Sequence, residues 1–162
     1  MDVFRRLLTN VLERLSGVKM LTNRRVKAST KRLLMCQIEK FPDGCNLNKL
    51  ERLNQHLSHH WKLLLEELVC QGKVIKVHTK YYTDNNAIVN NGRYLSEEMR
   101  DYMIEKISQK GTFGISALEI EKELNKRYPV VDSEEVSATL CRKVVDGTLR
   151  QKANANFMKR LI

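Results

Sequence analysis

Twice along this 162-residue chain, helical apolar spacing stops at a glycine and gives way to short alternating segments; that repeated order limits the folds open to it. In the first copy Leu34, Ile38 and Phe41 are spaced for one face of a helix that Thr30 can cap. Pro42-Asp43-Gly44 reads as a turn. Leu47, Leu50, Leu53 and Leu57 line a short second helix. Ser58 stands where it can cap a third, with Trp61, Leu64, Leu65, Leu68 and Val69 on its inner stripe. Gly72 is placed to end that helix in the left-handed region. Lys73 to His78 then has strand character, and Tyr81-Tyr82-Thr83 is the expected hairpin partner.

After the polar stretch from Asp84 to Gly92 the order returns. Met99, Met103 and Ile107 line a helix, and Lys110-Gly111-Thr112 breaks it. Phe113-Gly114-Ile115 offers a short edge strand. Ser116-Ala117-Leu118-Glu119 is a capping box for a second helix with Ile120 and Leu124 inward, ended by Tyr128-Pro129. Asp132, with Glu135 three residues on, caps a third helix carrying Val136, Leu140 and Val144 inward. Asp146-Gly147 stops it, and Thr148 to Lys152 and Phe157 to Arg160 complete a hairpin.

Three helices against a hairpin, with one small core, is the pattern of a winged helix. A plain three-helix bundle has no need of period-two segments after Gly72 and Gly147. The expected fold is mainly α with small β-hairpins (α+β): two tandem winged-helix domains preceded by an amphipathic N-terminal helix. The expected boundaries are 1–28 for that helix and a basic arm, 29–86 for the first domain, 87–94 for a linker, and 95–162 for the second domain.

The first half resembles the N-terminal winged helix of MYST-family histone acetyltransferases and of related CpG-island-binding proteins. Gly72-Lys73-Val74-Ile75-Lys76-Val77, then Lys80 and Tyr81, carry the likeness: a third helix ending in Gly, an apolar strand with a basic residue, and Lys and Tyr near the wing. From Ile104 to Leu149 the second half is similar in layout to the linker-histone globular domain, through its Ser-capped helix, Tyr-Pro break and Gly before the hairpin. The two resemblances imply DNA binding in transcription or chromatin.

Charge points the same way. The net charge is +10, which favours a polyanionic partner. Residues 1–32 carry nine basic and two acidic side chains, whereas 33–86 and 87–162 are nearly balanced, at seven against six and thirteen against eleven. A second basic zone closes the chain: Arg142, Lys143, Arg150, Lys152, Lys159 and Arg160 surround Asp146.

A winged helix lays its third helix in the major groove and its wing along the backbone, with Lys and Arg on phosphates. In the first domain the candidates are His59, His60, Lys62, Lys76, His78, Lys80 and Tyr81, with Tyr82 beside them; a solvated helix face with a tyrosine packed inward is the competing account. Glu66 and Glu67 oppose deep insertion, because carboxylates repel phosphates. In the second domain Ser133-Glu134-Glu135 suits the helix dipole but reads a groove poorly. Arg142, Lys143, Arg150, Lys152, Lys159 and Arg160 are expected to grip phosphate without reading sequence, with salt-dependent affinity. Arg24, Arg25, Lys27, Lys31 and Arg32 form a basic run suited to a DNA-contacting arm or an import signal, or to a solvated linker.

Phe4, Leu7, Leu8, Val11, Leu12 and Leu15 make one helical stripe. It suits docking onto its own first domain, a protein partner or a second copy. Asp2 and Glu13 are out of character for a transit peptide or membrane-surface helix. No apolar run approaches the ~20 residues that span a bilayer, so no membrane is expected and the location is expected to be intracellular, nuclear if the host is eukaryotic. A hydrophobic share of 42% and a charged share of 30% suit a globular chain and argue against disorder.

Cys36, Cys45, Cys70 and Cys141 form no CxxC pair, and with His56, His59 and His60 they match no zinc module, so no metal is expected. No Gly-rich phosphate loop, nucleophile elbow or HExxH is present, so neither an enzyme nor a cofactor is expected. The function expected is nucleic-acid binding, double-stranded DNA first and RNA second. The alternative is a protein-interaction adaptor subunit of a larger complex, since fold alone does not decide function.

Overall fold

Helix-forming Arg, Lys, Ala and Leu dominate residues 24–39, with no Gly or Pro to interrupt them, and the segment is one helix, α1. The computed structural model describes Val3 and residues 24–160, so the Phe4 to Leu15 stripe lies outside the described residues. α1 is already helical at Arg24. Thr30 is therefore internal to it and caps nothing, and the basic run is a helix surface, not an extended arm.

The chain continues through β1 (Cys45–Asn46), α2 (Leu47–Leu53), α3 (His60–Cys70), β2 (Ile75–Val77) and β3 (Lys80–Tyr82). Asn46 leaves β1 and caps α2, its side chain accepting the Lys49 N–H at 2.9 Å. α3 begins at His60, not at a Ser58 cap; His59 holds the cap position without a side-chain bond. Leu53, expected inward, is exposed. The three strands pair antiparallel in the order β1-β3-β2, with Cys45 opposite Tyr81 and Ile75 opposite Tyr82. Gly44 lets the chain enter β1: its φ is +93°, and a Cβ there would sit 2.5 Å from the Tyr82 ring.

Residues 87–94, expected as a linker, contain a short helix, α4 (Ala87–Asn91), whose Val89 is fully buried. Then come α5 (Glu97–Gln109), a 3-10 turn (Gly111–Phe113), α6 (Ala117–Arg127), α7 (Ser133–Val145), β4 (Leu149–Gln151) and β5 (Phe157–Lys159). Ser116 accepts the Glu119 N–H at 3.2 Å, and Asp132 accepts that of Glu134 at 2.9 Å, so both expected caps are made. Ile115 bridges antiparallel to Phe157, which puts a single-residue edge beside β5 as β1 stands beside β3. The order helix, edge, helix, helix, hairpin thus occurs twice. Among the described residues the chain has seven helices and five short strands, an α+β architecture.

The cores do not respect the expected domain boundary. Leu34, Ile38, Leu50, Trp61, Leu65, Leu68, Val74 and Tyr81 pack in the first half. The second core gathers Met103, Ile107, Ile120, Leu124, Val136, Leu140 and Phe157, and also takes Ile75, Val77, Tyr82 and Val89 from upstream. Successive strand residues point to opposite faces, so Val74 and Tyr81 turn to the first core while Ile75, Val77 and Tyr82 turn to the second. The first hairpin is a wall shared by both halves.

Candidate nucleic-acid interface

In the first half the hairpin is committed to this wall. β2 packs on α7, and Gln151 of β4 closes its edge, accepting the Lys76 N–H at 2.9 Å and donating to the Lys76 carbonyl. Tyr82 lies against Ser137 and Cys141 of α7; burial is the leading cause that pushes its phenol up to about 12, and the Cys141 thiol is also pushed up by burial. At the hairpin tip His78, with φ 56°, places its ring 2.9 Å from Glu121 of α6, whose carboxylate also accepts from Ser133 at 2.7 Å. Burial of Ile75, Val77 and Tyr82, at about 1.5–3 kcal/mol per large side chain, outweighs the His78–Glu121 contact, which as a part-exposed pair contributes about 1 kcal/mol or less.

Several of the expected residues are packed or paired within the fold. Tyr81 is buried, Lys76 is half-buried with its Nζ 5.6 Å from the Tyr81 ring centroid, and His78 faces Glu121. Lys80 stays exposed, its Nζ 3.4 Å from the Asp43 carbonyl. α7 has no free groove-reading face. Val136, Ser137, Ala138, Thr139, Leu140, Cys141 and Val144 are all buried, and Thr139 Oγ1 accepts the Leu95 N–H at 2.9 Å.

What stays open is α3 and the second hairpin, and they are adjacent. The β4–β5 turn, Ala153 to Ala155, lies beside Glu66 and Val69 with a cavity of about 150 Å³ between them. Beyond the end of α3 a cleft of about 580 Å³ runs between Cys70–Lys73 and the hairpin. Lys73, Arg150 and Arg160 bring three cations to it, and Asp84 is the one carboxylate among its described lining residues. Gly72, φ +75°, turns the chain so that Lys73 reaches this edge. Lys152 donates from Nζ to the Thr112 carbonyl at 2.8 Å, and Phe113 on the same turn projects into solvent. Lys159 and Arg142 are exposed; Lys143 is half-buried, 3.7 Å from Asp146.

The rest of α3 is electrostatically mixed. Lys62 pairs with Glu51 at 2.8 Å. Lys31 of α1 pairs with Glu67 at 2.9 Å, and this hydrogen bond is the leading cause that holds the Glu67 carboxyl below its usual range. His59 and His60 are exposed at the helix start. Arg24, Arg25, Lys27 and Arg32 are exposed along α1, whose Met35 reaches the cleft. Nine residues separate Val26 from Met35, about 13 Å of helix, so the first basic zone begins well up α1 from the cleft.

Lys73, not among the residues expected from the sequence, lines this cleft with Arg150 and Arg160. A lysine directly after a helix-ending glycine was its available signal. Among the described residues no group of three His, Cys, Asp or Glu side chains is disposed to hold a metal, and no helix is long and apolar enough to cross a membrane. Cys45 and Cys141 are buried thiols, and burial pushes both up. Comparison with protein-family models, with curated proteins and with solved structures finds no match to this chain.

Proposed function

We propose that this chain binds nucleic acid, double-stranded DNA first, as one composite unit built from two winged helices. The convergence of Lys73, Arg150 and Arg160 on the cleft between α3 and the second hairpin carries the reading. Arg presents a planar fork that holds a phosphate bidentately, and Lys adds a point charge. Each phosphate neutralised releases condensed counterions, so affinity falls with salt. Glu66 and Glu67 keep α3 out of close contact with the backbone, which favours sequence-independent binding. The first hairpin is occupied by the second half, and the second hairpin serves as the wing beside α3. Work on chromatin or transcription, and a nuclear location in a eukaryotic host, are part of this proposal.

The test is fluorescence anisotropy against a labelled duplex of about 20 base pairs, from about 50 to about 200 mM salt. Arg150→Glu with Arg160→Glu should weaken binding at least about tenfold and flatten the log–log salt slope by about 2, since each lost phosphate contact removes about 0.9. Lys76→Glu should change affinity little. Absence of binding at the lowest salt overturns the proposal, and so does a double variant that binds like the parent.

A second reading is an adaptor. It is favoured by an apolar groove in which Val26 and Leu63 are both more than half exposed.

A further inference from the structure

Phe113 is the one exposed aromatic side chain among the described residues, 83% open to solvent and packed in neither core. The fold forgoes the stabilisation that burying a phenylalanine brings. Phe113 ends the 3-10 turn, and Thr112, the residue before it, lines the basic cleft with Lys73, Arg150 and Arg160. Consecutive Cα atoms are about 3.8 Å apart, so Phe113 stands at the rim of that cleft.

The turn is held firmly against the second hairpin. The Gly114 N–H donates to the Gly111 carbonyl at 3.3 Å, and Ile115 exchanges two hydrogen bonds with Phe157, at 2.9 and 2.8 Å. A Cβ on Gly114 would stand 3.0 Å from the Phe157 carbonyl oxygen, so turn and hairpin meet backbone to backbone. The same Cβ would lie 3.5 Å from Lys152 Cδ, and Lys152 Nζ donates to the Thr112 carbonyl at 2.8 Å. The Lys152 ammonium is thus bonded to the residue next to the exposed ring, on a braced support.

We infer that Phe113 is a stacking platform for an unpaired base at the edge of a bound duplex. The inference rests on the nucleic-acid reading above: the cations of the cleft hold phosphates, and the ring takes a base beside them. Magnitudes favour an unpaired base over a paired one. Stacking one base on an aromatic ring is worth about fivefold to about 150-fold in affinity. Opening a paired step costs about as much or more, and one ring does not offset it. At an overhang, a frayed end or a bubble the base is already free. Every base has a π-face, so the ring adds a preference for unpaired structure and none for sequence.

Fluorescence anisotropy of the full chain tests this on three forms of one labelled duplex of about 20 base pairs. One form is blunt, one has an overhang of about five thymines, and one an abasic overhang of the same length. The abasic overhang keeps the phosphates and removes the bases, which separates stacking from charge. The parent should bind the thymine overhang at least about fivefold tighter than the abasic one. Phe113→Ala should erase that difference, and Phe113→Trp should keep it. A parent that binds the blunt duplex but treats both overhangs alike overturns the inference and leaves the nucleic-acid reading standing. A preference that survives in Phe113→Ala overturns the inference equally. A parent that binds none of the three forms at about 50 mM salt overturns both.

Discussion

Asn86 is fully buried and holds together segments far apart in sequence. Its Nδ2 donates to the carbonyls of Ile38 at 3.0 Å and Phe41 at 2.7 Å, and its Oδ1 accepts from the Thr83 N–H at 2.6 Å and the Thr83 hydroxyl at 3.1 Å. Asn86→Ala strips partners from groups that stay buried, a loss of about 2–4 kcal/mol. Urea denaturation should show it as a lowered midpoint at unchanged slope; a change within about 0.5 kcal/mol would contradict this account. Tyr82 makes a pH-dependent contribution. Its folded value, about 12, stands above the ordinary 10 because burial favours the neutral phenol. The unfolded chain therefore ionises first on raising the pH: the stabilisation is complete below about 10 and is lost towards 12, at up to about 1.4 kcal/mol per pH unit. Tyr81, also raised by burial, adds to the decline. Urea midpoints measured from pH 8 to 11 should fall less steeply in Tyr82→Phe than in the parent.

Among the elements, the first hairpin shows how far patterning could be read. Its place after Gly72, its strands and its partner were legible from period-two residues after a helix. Its exposure was not, although a signal was there. A wing with one wet face alternates apolar and polar, whereas Val74-Ile75 and Tyr81-Tyr82 put apolar residues on both faces, the mark of two-sided burial. α7 carries a similar signal. Beside its large core residues it bears Ser137, Ala138 and Cys141, small residues that let β2 and α4 come close. Val77→Lys tests the hairpin's second role, since Val77 belongs to the second core and not the first. Burying an ammonium there should cost more than about 3 kcal/mol and release the second half, while the first keeps its helices. Two separated transitions, by near-ultraviolet signal and by backbone circular dichroism, are the expected result; one unchanged transition would sink it.

For the whole molecule, the shared wall makes two topologically similar halves into one folding unit. Ile75, Val77, Tyr82 and Val89 lie in the same cluster as Leu140 and Phe157. The parent should therefore unfold in a single calorimetric transition with calorimetric and van't Hoff enthalpies equal. A fragment of residues 87–160 should be largely unfolded at room temperature, because it lacks the hairpin that completes its core. Two transitions in the parent would mean that the wall joins the halves only weakly.

Local chemistry determined a good deal without tertiary information: helix periodicity, the caps at Ser116 and Asp132, the left-handed stops at Gly72 and Gly147, and the repeated order of elements. Each depends on residues within a turn or two of one another, where spacing and side-chain type suffice. Packing decided the rest. β1 is only Cys45–Asn46 and exists because β3 is there to pair with it. The Asp84 to Gly92 stretch reads as polar, yet Val89 anchors it in the second core. The surface assignment of Lys76 and Lys73 depended on where Gln151 and Arg150 arrive from 75 or more residues away in the chain, a separation over which no local periodicity carries information.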